Sequence, residues 1–132
     1  MDETAMSNIR TAIVIDDDHD IVDVFCDILQ IMQIETVGKG YDGKQAVELY
    51  QKLNPDLVIL DIMMPMYDGI YALEKIREID PHAKVMVITA DMSSTTNEKL
   101  QKLKPTAVVF KPTDTETILG IVRSLNSATI KD

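Results

Sequence analysis

The sequence predicts an α/β protein in which one parallel sheet of five strands lies between two layers of helices, a three-layer (βα)5 sandwich. Three observations indicate this fold. Short apolar runs alternate with longer segments of helical periodicity. The runs are apolar throughout, as strands covered on both faces require. Residue pairs typical of turns, namely Asn54-Pro55, Asp68-Gly69 and Asp80-Pro81, separate the segments.

The strands and helices follow one another in strict alternation. Strands are predicted over residues 12–15, 35–39, 57–60, 85–88 and 107–110, and the second of them is the weakest. Helices are predicted over about residues 20–32, 43–53, 69–79, 94–103 and 114–125. Asp20 is the expected cap of the first helix.

The last two helices differ in the strength of their signals. In the fifth, Ile118, Ile121, Val122 and Leu125 recur at helical spacing, and a capping box is possible between residues 113 and 116. The fourth begins with residues that hydrogen-bond to their own backbone and disfavour helix interiors. We therefore expect the segment around residues 93–97 to be frayed and mobile.

Composition limits the partners that the chain can have. The formal charge is -9, with 22 acidic and 13 basic residues, so the average field repels phosphate backbones and anionic lipids. No apolar run approaches the roughly 20 residues of a membrane span, and residues 1–10 contain no apolar signal segment. The lone Cys26 has no partner in the chain for a disulfide. We expect one cytoplasmic domain spanning residues 1–132, with a core over about 9–126 and short tails, that binds neither nucleic acid nor membranes directly.

Polar residues follow four of the predicted strands. Ligands of an open parallel sheet bind beyond the carboxyl ends of its strands. The first strand is followed by Asp16 and Asp17, the third by Asp61, the fourth by Thr89 and the fifth by Lys111. We therefore expect carboxylates, a hydroxyl and an ammonium group to converge on one crevice.

This set of groups suits phosphoryl transfer. Carboxylates gathered so closely resist ionisation unless a cation lies among them, and hard oxygen ligands with room for water suit Mg²⁺. Lys111 can pair with a phosphoryl group as a point charge, and the Thr89 hydroxyl can donate to one of its oxygens. The pattern predicts transfer of a phosphoryl group to an aspartate.

Five motifs together resemble the receiver domain of response regulators over about residues 9–126. They are Val-Ile-Asp-Asp-Asp at 14–18, Pro-Asp-Leu-Val-Ile-Leu-Asp-Ile-Met-Met-Pro at 55–65, Asp68-Gly69, Ile-Thr-Ala at 88–90 and Lys111-Pro112. The resemblance implies the flavodoxin-like strand order 2-1-3-4-5. It also implies a cis bond between Lys111 and Pro112 that directs the lysine into the pocket.

The resemblance implies a role for each site residue. Asp61 corresponds to the phosphoacceptor, Thr89 to the switch hydroxyl and Lys111 to the phosphate-pairing lysine. The implied ligands of Mg²⁺, for which Mn²⁺ could substitute, are Asp17 and Asp61 directly, Asp16 through a water, and the backbone carbonyl of Met63. Met63 and Asp91, the latter expected to face solvent, flank the route of a hydrolytic water, and we expect them to tune dephosphorylation.

One position departs from the family pattern. The family usually has Tyr or Phe three residues before the lysine, whereas this chain has Val108. Phe110 lies on the same strand face as Val108. It directly precedes Lys111, however, so it does not occupy the position of the family's aromatic residue, three residues before the lysine. We expect Thr89 to vacate a space next to Val108, and the response to appear mainly in the loop at 90–96 and the fourth helix. Lys104-Pro105 should make the loop before the fifth strand stiff.

The function implied is that of a switch rather than an enzyme. A histidine kinase or phosphotransfer domain would donate the phosphoryl group, and the surface of the fourth helix, fifth strand and fifth helix would then engage a downstream protein of unknown identity. We expect a monomer or a weak, phosphorylation-dependent dimer. The alternative is a scaffold that keeps the fold and binds partners without phosphorylation. A magnesium-dependent hydrolase would need a second acid two residues beyond Asp61, where this chain has Met63.

Overall fold

The fold has the predicted order of elements. The computed structural model describes residues 9–91 and 93–130. Its elements in chain order are β1 (Thr11–Ile15), α1 (His19–Ile31), β2 (Glu35–Gly40), α2 (Gly43–Leu53), β3 (Leu57–Asp61), α3 (Gly69–Ile79), β4 (Val85–Thr89), α4 (Ser94–Leu103), β5 (Ala107–Phe110) and α5 (Thr115–Ile130).

The ends of the chain differ in part from the prediction. Helix α5 continues to Ile130, so most of the C-terminal tail expected beyond residue 126 is helical. The N-terminal tail expected before residue 9 lies outside the described residues. Helix α4 is formed at the predicted place, and its expected mobility stays a prediction.

The strands form one parallel sheet in the order β2-β1-β3-β4-β5, which confirms the predicted topology. Every residue of β3 and β4 is buried, because these strands are covered by helices on both faces. The edge strands β2 and β5 are more exposed. Since all five strands run in the same direction, their carboxyl ends meet at one edge of the sheet.

Two hydrophobic cores lie on the two faces of the sheet. Helices α1 and α5 cover one face with side chains that include Phe25, Leu29, Ile118 and Val122. Helices α2, α3 and α4 cover the other face with a second set of apolar side chains, which includes Leu73. In the part of the chain that the structure describes, no helix has both the length and the apolarity that crossing a bilayer requires.

Each helix begins with an acidic or hydroxyl cap that accepts a backbone N–H. The caps of α1 to α5 are, in order, Asp18, Asp42, Asp68, Ser93 and Asp114. Two expectations were therefore wrong. Helix α1 begins one residue early, at His19, so its cap is Asp18 and not Asp20. In α5 the cap oxygen is Asp114 Oδ1, 2.8 Å from the Thr117 N, and not a group of residue 113.

Candidate functional site

Three carboxylates meet where β1 and β3 end. Each of Asp16, Asp17 and Asp61 offers a carboxylate oxygen, and these oxygens lie within 4.8 Å of one another. Asp16 and Asp61 are each only 3% exposed, whereas Asp17 is open to solvent. Asp16 Oδ1 accepts a hydrogen bond from the Asp18 N–H at 3.0 Å, which orients the carboxylate. The site therefore has two buried acids and one that solvent can reach.

Lys111 connects the two buried acids. Its Nζ lies 3.3 Å from Asp16 Oδ2 and 3.2 Å from Asp61 Oδ1. The Lys111 N–H donates to the Thr89 carbonyl at 2.9 Å, and the predicted cis bond between Lys111 and Pro112 is present. Burial disfavours the ammonium form of Lys111, but the charges of Asp61 and Asp16 outweigh that effect, so its pKa is raised.

The cluster carries more negative charge than Lys111 neutralises. Burial, and then repulsion from Asp16, raise the pKa of Asp61 to about 6. Burial also raises the pKa of Asp16, although the Asp18 N–H and Lys111 oppose this effect. A divalent cation among the three carboxylates would favour their ionised forms. The donors are hard oxygens, one of them exposed, so the residues present fit Mg²⁺ with part of its water shell.

Gly69 allows the β3–α3 loop to fold tightly behind Asp61. The Gly69 N–H donates to the Ile62 carbonyl at 2.9 Å. A Cβ at this position would overlap the Asp61 carbonyl oxygen and the Ile62 Cα. A larger residue would push the loop outward. Glycine at 69 is therefore required by the close approach of backbone to backbone next to the acidic cluster.

Thr89 is fully buried at the end of β4, and its neighbour across the sheet is Phe110. Strand pairing places Thr89 beside Phe110 and Val87 beside Val108. Val109 is buried, whereas Val108 and Phe110 are 37% and 39% exposed, so both lie on the opposite face from Val109, as expected. The strand register thus pairs Thr89 with Phe110 and not with Val108, and the expectation that a moving Thr89 would vacate a space next to Val108 stays a prediction.

The two residues expected to tune dephosphorylation share a cleft. Met63, which is 55% exposed, and Asp91 both line it, together with Thr96 and Lys99. Asp91 was expected to face solvent, but it is half-buried, and its Oδ2 accepts a hydrogen bond from Thr96 Oγ1 at 2.6 Å. This bond, followed by bonds from Ser93, lowers the pKa of Asp91.

Sequence reasoning missed some of the residues around the site. Thr96 is one, since in sequence it is a poor helix former, yet in α4 it is 9% exposed and paired with Asp91. The spacing of Asp91, Ser93 and Thr96, typical of a capped helix start, was the available signal. His19, the first residue of α1, and Tyr41, which directly follows β2, stack with ring centroids 3.8 Å apart, a contact that no local pattern predicts.

Comparison with known proteins agrees with this geometry. Residues 12–123 match the family described as the response regulator receiver domain. The chain belongs to this family. The chemotaxis protein CheY of Treponema pallidum is 36% identical over 115 residues, which cover 86% of this chain and 80% of that protein.

Other relatives match this receiver over a shorter segment or in structure. CcdB of Bacillus subtilis and CheY of Thermotoga maritima are 48% and 44% identical over 64 residues, so the chain spans about half the length (53%) of each. A chain of the CheX–CheY–BeF3–Mg²⁺ complex of Borrelia burgdorferi is 29% identical, with a TM-score of 0.81 and 88% of each chain covered. A CheY-like receiver of Methanospirillum hungatei, 20% identical, shares the fold with a TM-score of 0.86 over 94% of this chain and 98% of that one.

Proposed function

We propose that this receiver accepts a phosphoryl group on Asp61 from a histidine kinase or phosphotransfer domain and acts as a signalling switch. The observation that carries the proposal is the position of Lys111 Nζ, within 3.3 Å of both Asp16 and Asp61, beside three clustered carboxylates. A purely structural ion pair would need only one of these acids. A bound cation would offset the surplus of negative charge, and with Lys111 it could then hold a phosphoryl group next to Asp61.

Asp61 is the nucleophile of the proposed reaction. Its bond to phosphorus forms as the bond between phosphorus and the donor imidazole nitrogen breaks, and the electron pair remains on that nitrogen. A carboxylate with a pKa of about 6 is still mostly ionised at neutral pH, and its raised basicity favours attack on phosphorus. The Lys111 ammonium group would move from the carboxylates to pair with the phosphoryl oxygens. The Thr89 hydroxyl would donate a hydrogen bond to one of these phosphoryl oxygens.

Asp16, Asp17, Asp61 and the backbone carbonyl of Met63 are the proposed ligands of Mg²⁺. The metal, when bound, neutralises the charge that develops on the transferred group. Water attack on phosphorus would return Asp61 to its free carboxylate and release inorganic phosphate. The cleft lined by Met63 and Asp91 would be the route for this water. The chain would thus catalyse only its own phosphorylation and dephosphorylation, and signal through the α4–β5–α5 surface.

Mass spectrometry of the intact protein tests the proposal. After treatment with acetyl phosphate and Mg²⁺, we expect one phosphoryl group per parent chain, and none when EDTA replaces the metal. Asp61→Asn should acquire none. Asp27→Asn, which removes the same charge from an exposed position of α1, should behave as the parent does.

The outcomes separate the alternatives. A lack of any adduct in the parent would favour a scaffold that binds partners without phosphorylation. Rapid consumption of acetyl phosphate without a lasting adduct would favour a hydrolase. Phosphorylation of Asp61→Asn at the parent's rate would show that another residue is the acceptor.

A further inference from the structure

Hydrogen bonds connect the end of β4 to the first turn of α4 through four residues, Thr89, Asp91, Ser93 and Thr96, which we call the β4–α4 polar cluster. The Asp91 carboxylate is its centre. Asp91 Oδ1 accepts from the Ser93 N–H at 2.9 Å, and Oδ2 accepts from Thr96 Oγ1 at 2.6 Å. Ser93 Oγ accepts from the Thr96 N–H at 3.3 Å, so α4 begins inside the cluster.

The cluster also holds the Thr89 hydroxyl. The Asp91 N–H donates to Thr89 Oγ1 at 2.9 Å. Thr89 Oγ1 lies 3.5 Å from the Asp91 carbonyl oxygen, the outer limit of a hydrogen bond in which the hydroxyl donates. Thr89 therefore acts mainly as an acceptor toward the loop, and its capacity to donate is little used. A new acceptor in the pocket would compete for that proton with the Asp91 backbone alone.

Movement of Thr89 toward the pocket would work against this arrangement. The Asp91 N–H would either lose its acceptor or follow the hydroxyl. It can follow only if the Asp91 carboxylate is displaced from Thr96, and a 2.6 Å bond to a charged acceptor is of the strong kind. Thr96 is 9% exposed, so water would be a poor replacement for the Asp91 carboxylate as the acceptor of the Thr96 hydroxyl.

We infer that Thr96 is a positioning residue of the switch: through Asp91 it holds Thr89 in the resting position, and its release transmits the change to α4. The inference rests on the function proposed above. It gives Thr96 two effects. The bond to Asp91 opposes phosphoryl binding, and it makes the first turn of α4 move when Thr89 moves.

Removal of the Thr96 hydroxyl tests the inference with beryllium fluoride as the phosphoryl mimic, at saturating Mg²⁺. Thr96→Val, Thr96→Ser and the parent are compared by isothermal titration calorimetry, with Thr95→Val as the control at an exposed neighbouring position. We expect Thr96→Val to bind beryllium fluoride about three- to tenfold more tightly than the parent, because the bond to the charged Asp91 no longer opposes binding. Thr96→Ser should restore the parent's affinity, and Thr95→Val should match it.

Melting temperature and amide exchange distinguish positioning from structural damage. A structural defect would lower both the melting temperature and the affinity. The inference requires a higher affinity in a variant whose melting temperature is unchanged or lower. It also requires that beryllium fluoride alter amide exchange across 93–103 in the parent, and clearly less in Thr96→Val. If Val is not accommodated, Thr96→Ala removes the same hydroxyl and must give the same result.

Equal or weaker binding by both hydroxyl-free variants would overturn the inference. So would an unchanged response of α4 in Thr96→Val. A parent protein that neither binds beryllium fluoride nor takes phosphate from acetyl phosphate would instead refute the proposed function.

Discussion

Replacement of Asp61 by Asn should make the metal-free protein more stable at alkaline pH. The ionised Asp61 is 3% exposed and lies next to Asp16, and its pKa rises from 3.8 to about 6 in the folded protein. Between these values the folded state holds more protons than the unfolded state, so the free energy of unfolding decreases as the pH rises through this range. Above it, the ionised carboxylate costs up to about 3 kcal/mol relative to its neutral form.

Asn is a neutral substitute for the protonated acid. At about pH 8 we therefore expect Asp61→Asn to unfold with a free energy up to about 3 kcal/mol above that of the parent. The gain should fall to about 0.5 kcal/mol at pH 4, where Asp61 is protonated in the folded parent and partly protonated in the unfolded chain, and it should vanish below that pH. Mg²⁺ should narrow the difference in unfolding free energy at pH 8, because the proposed binding of Mg²⁺ to the parent's carboxylates would stabilise the folded state.

Urea denaturation in EDTA at several pH values measures this difference. Asp27→Asn is the control for the loss of one negative charge from a chain of net charge -9, and it should change the free energy of unfolding by less than about 0.5 kcal/mol. If Asp61→Asn is no more stable than the parent at pH 8, burial and repulsion do not strain this site. A gain that is the same at pH 4 and pH 8 would show that it does not come from ionisation of Asp61.

Three further predictions concern the metal, the loop behind the acidic cluster, and the path of the signal. Asp17→Ala should abolish metal-dependent phosphorylation while the protein stays folded, and a Mg²⁺ titration matching the parent's would contradict this. Gly69→Ala should cost about 1–3 kcal/mol in urea denaturation because of the backbone overlap, whereas Gly120→Ala, with open space around an exposed helix position, should gain roughly 0.5–1 kcal/mol. Amide exchange with beryllium fluoride should respond mainly in the β4–α4 loop and α4, and Val108→Ala should alter that response less than Phe110→Ala, since the strand register pairs Phe110 with Thr89. A change in amide exchange that is centred on β5 and lost in Val108→Ala would refute both this path of the signal and the smaller effect expected of Val108→Ala.

Sequence patterns predicted the fold and the main site residues because each depends on short-range chemistry. Apolar runs such as residues 57–60 must be covered on both faces, and this requirement produces a parallel sheet between helices. The residues that leave the strands of such a sheet must lie at one edge, so Asp16, Asp61 and Lys111 could be assigned to one crevice before any coordinates were known.

Local patterns were less informative where two groups compete for the same role. Asp18 and Asp20 are both good helix caps, and a shift of one residue in the start of α1 decided between them. Asp91 is charged and follows a strand, which is typical of an exposed turn, yet a partner five residues later in α4 makes it part of a polar cluster. Propensity describes one residue in its own segment, whereas a hydrogen bond depends on two.

The sequence by itself thus determined which residues form strands and helices, which face of each is apolar, and which polar groups lie at the carboxyl edge of the sheet. Tertiary structure alone decided the strand register that places Phe110, and not Val108, beside Thr89, and the approach of Lys111 to two acids at once. It also decided the burial that raises the pKa of Asp61. The physical reason is that periodicity is a property of one segment, while register, distance and desolvation arise only when segments distant in the chain pack against each other.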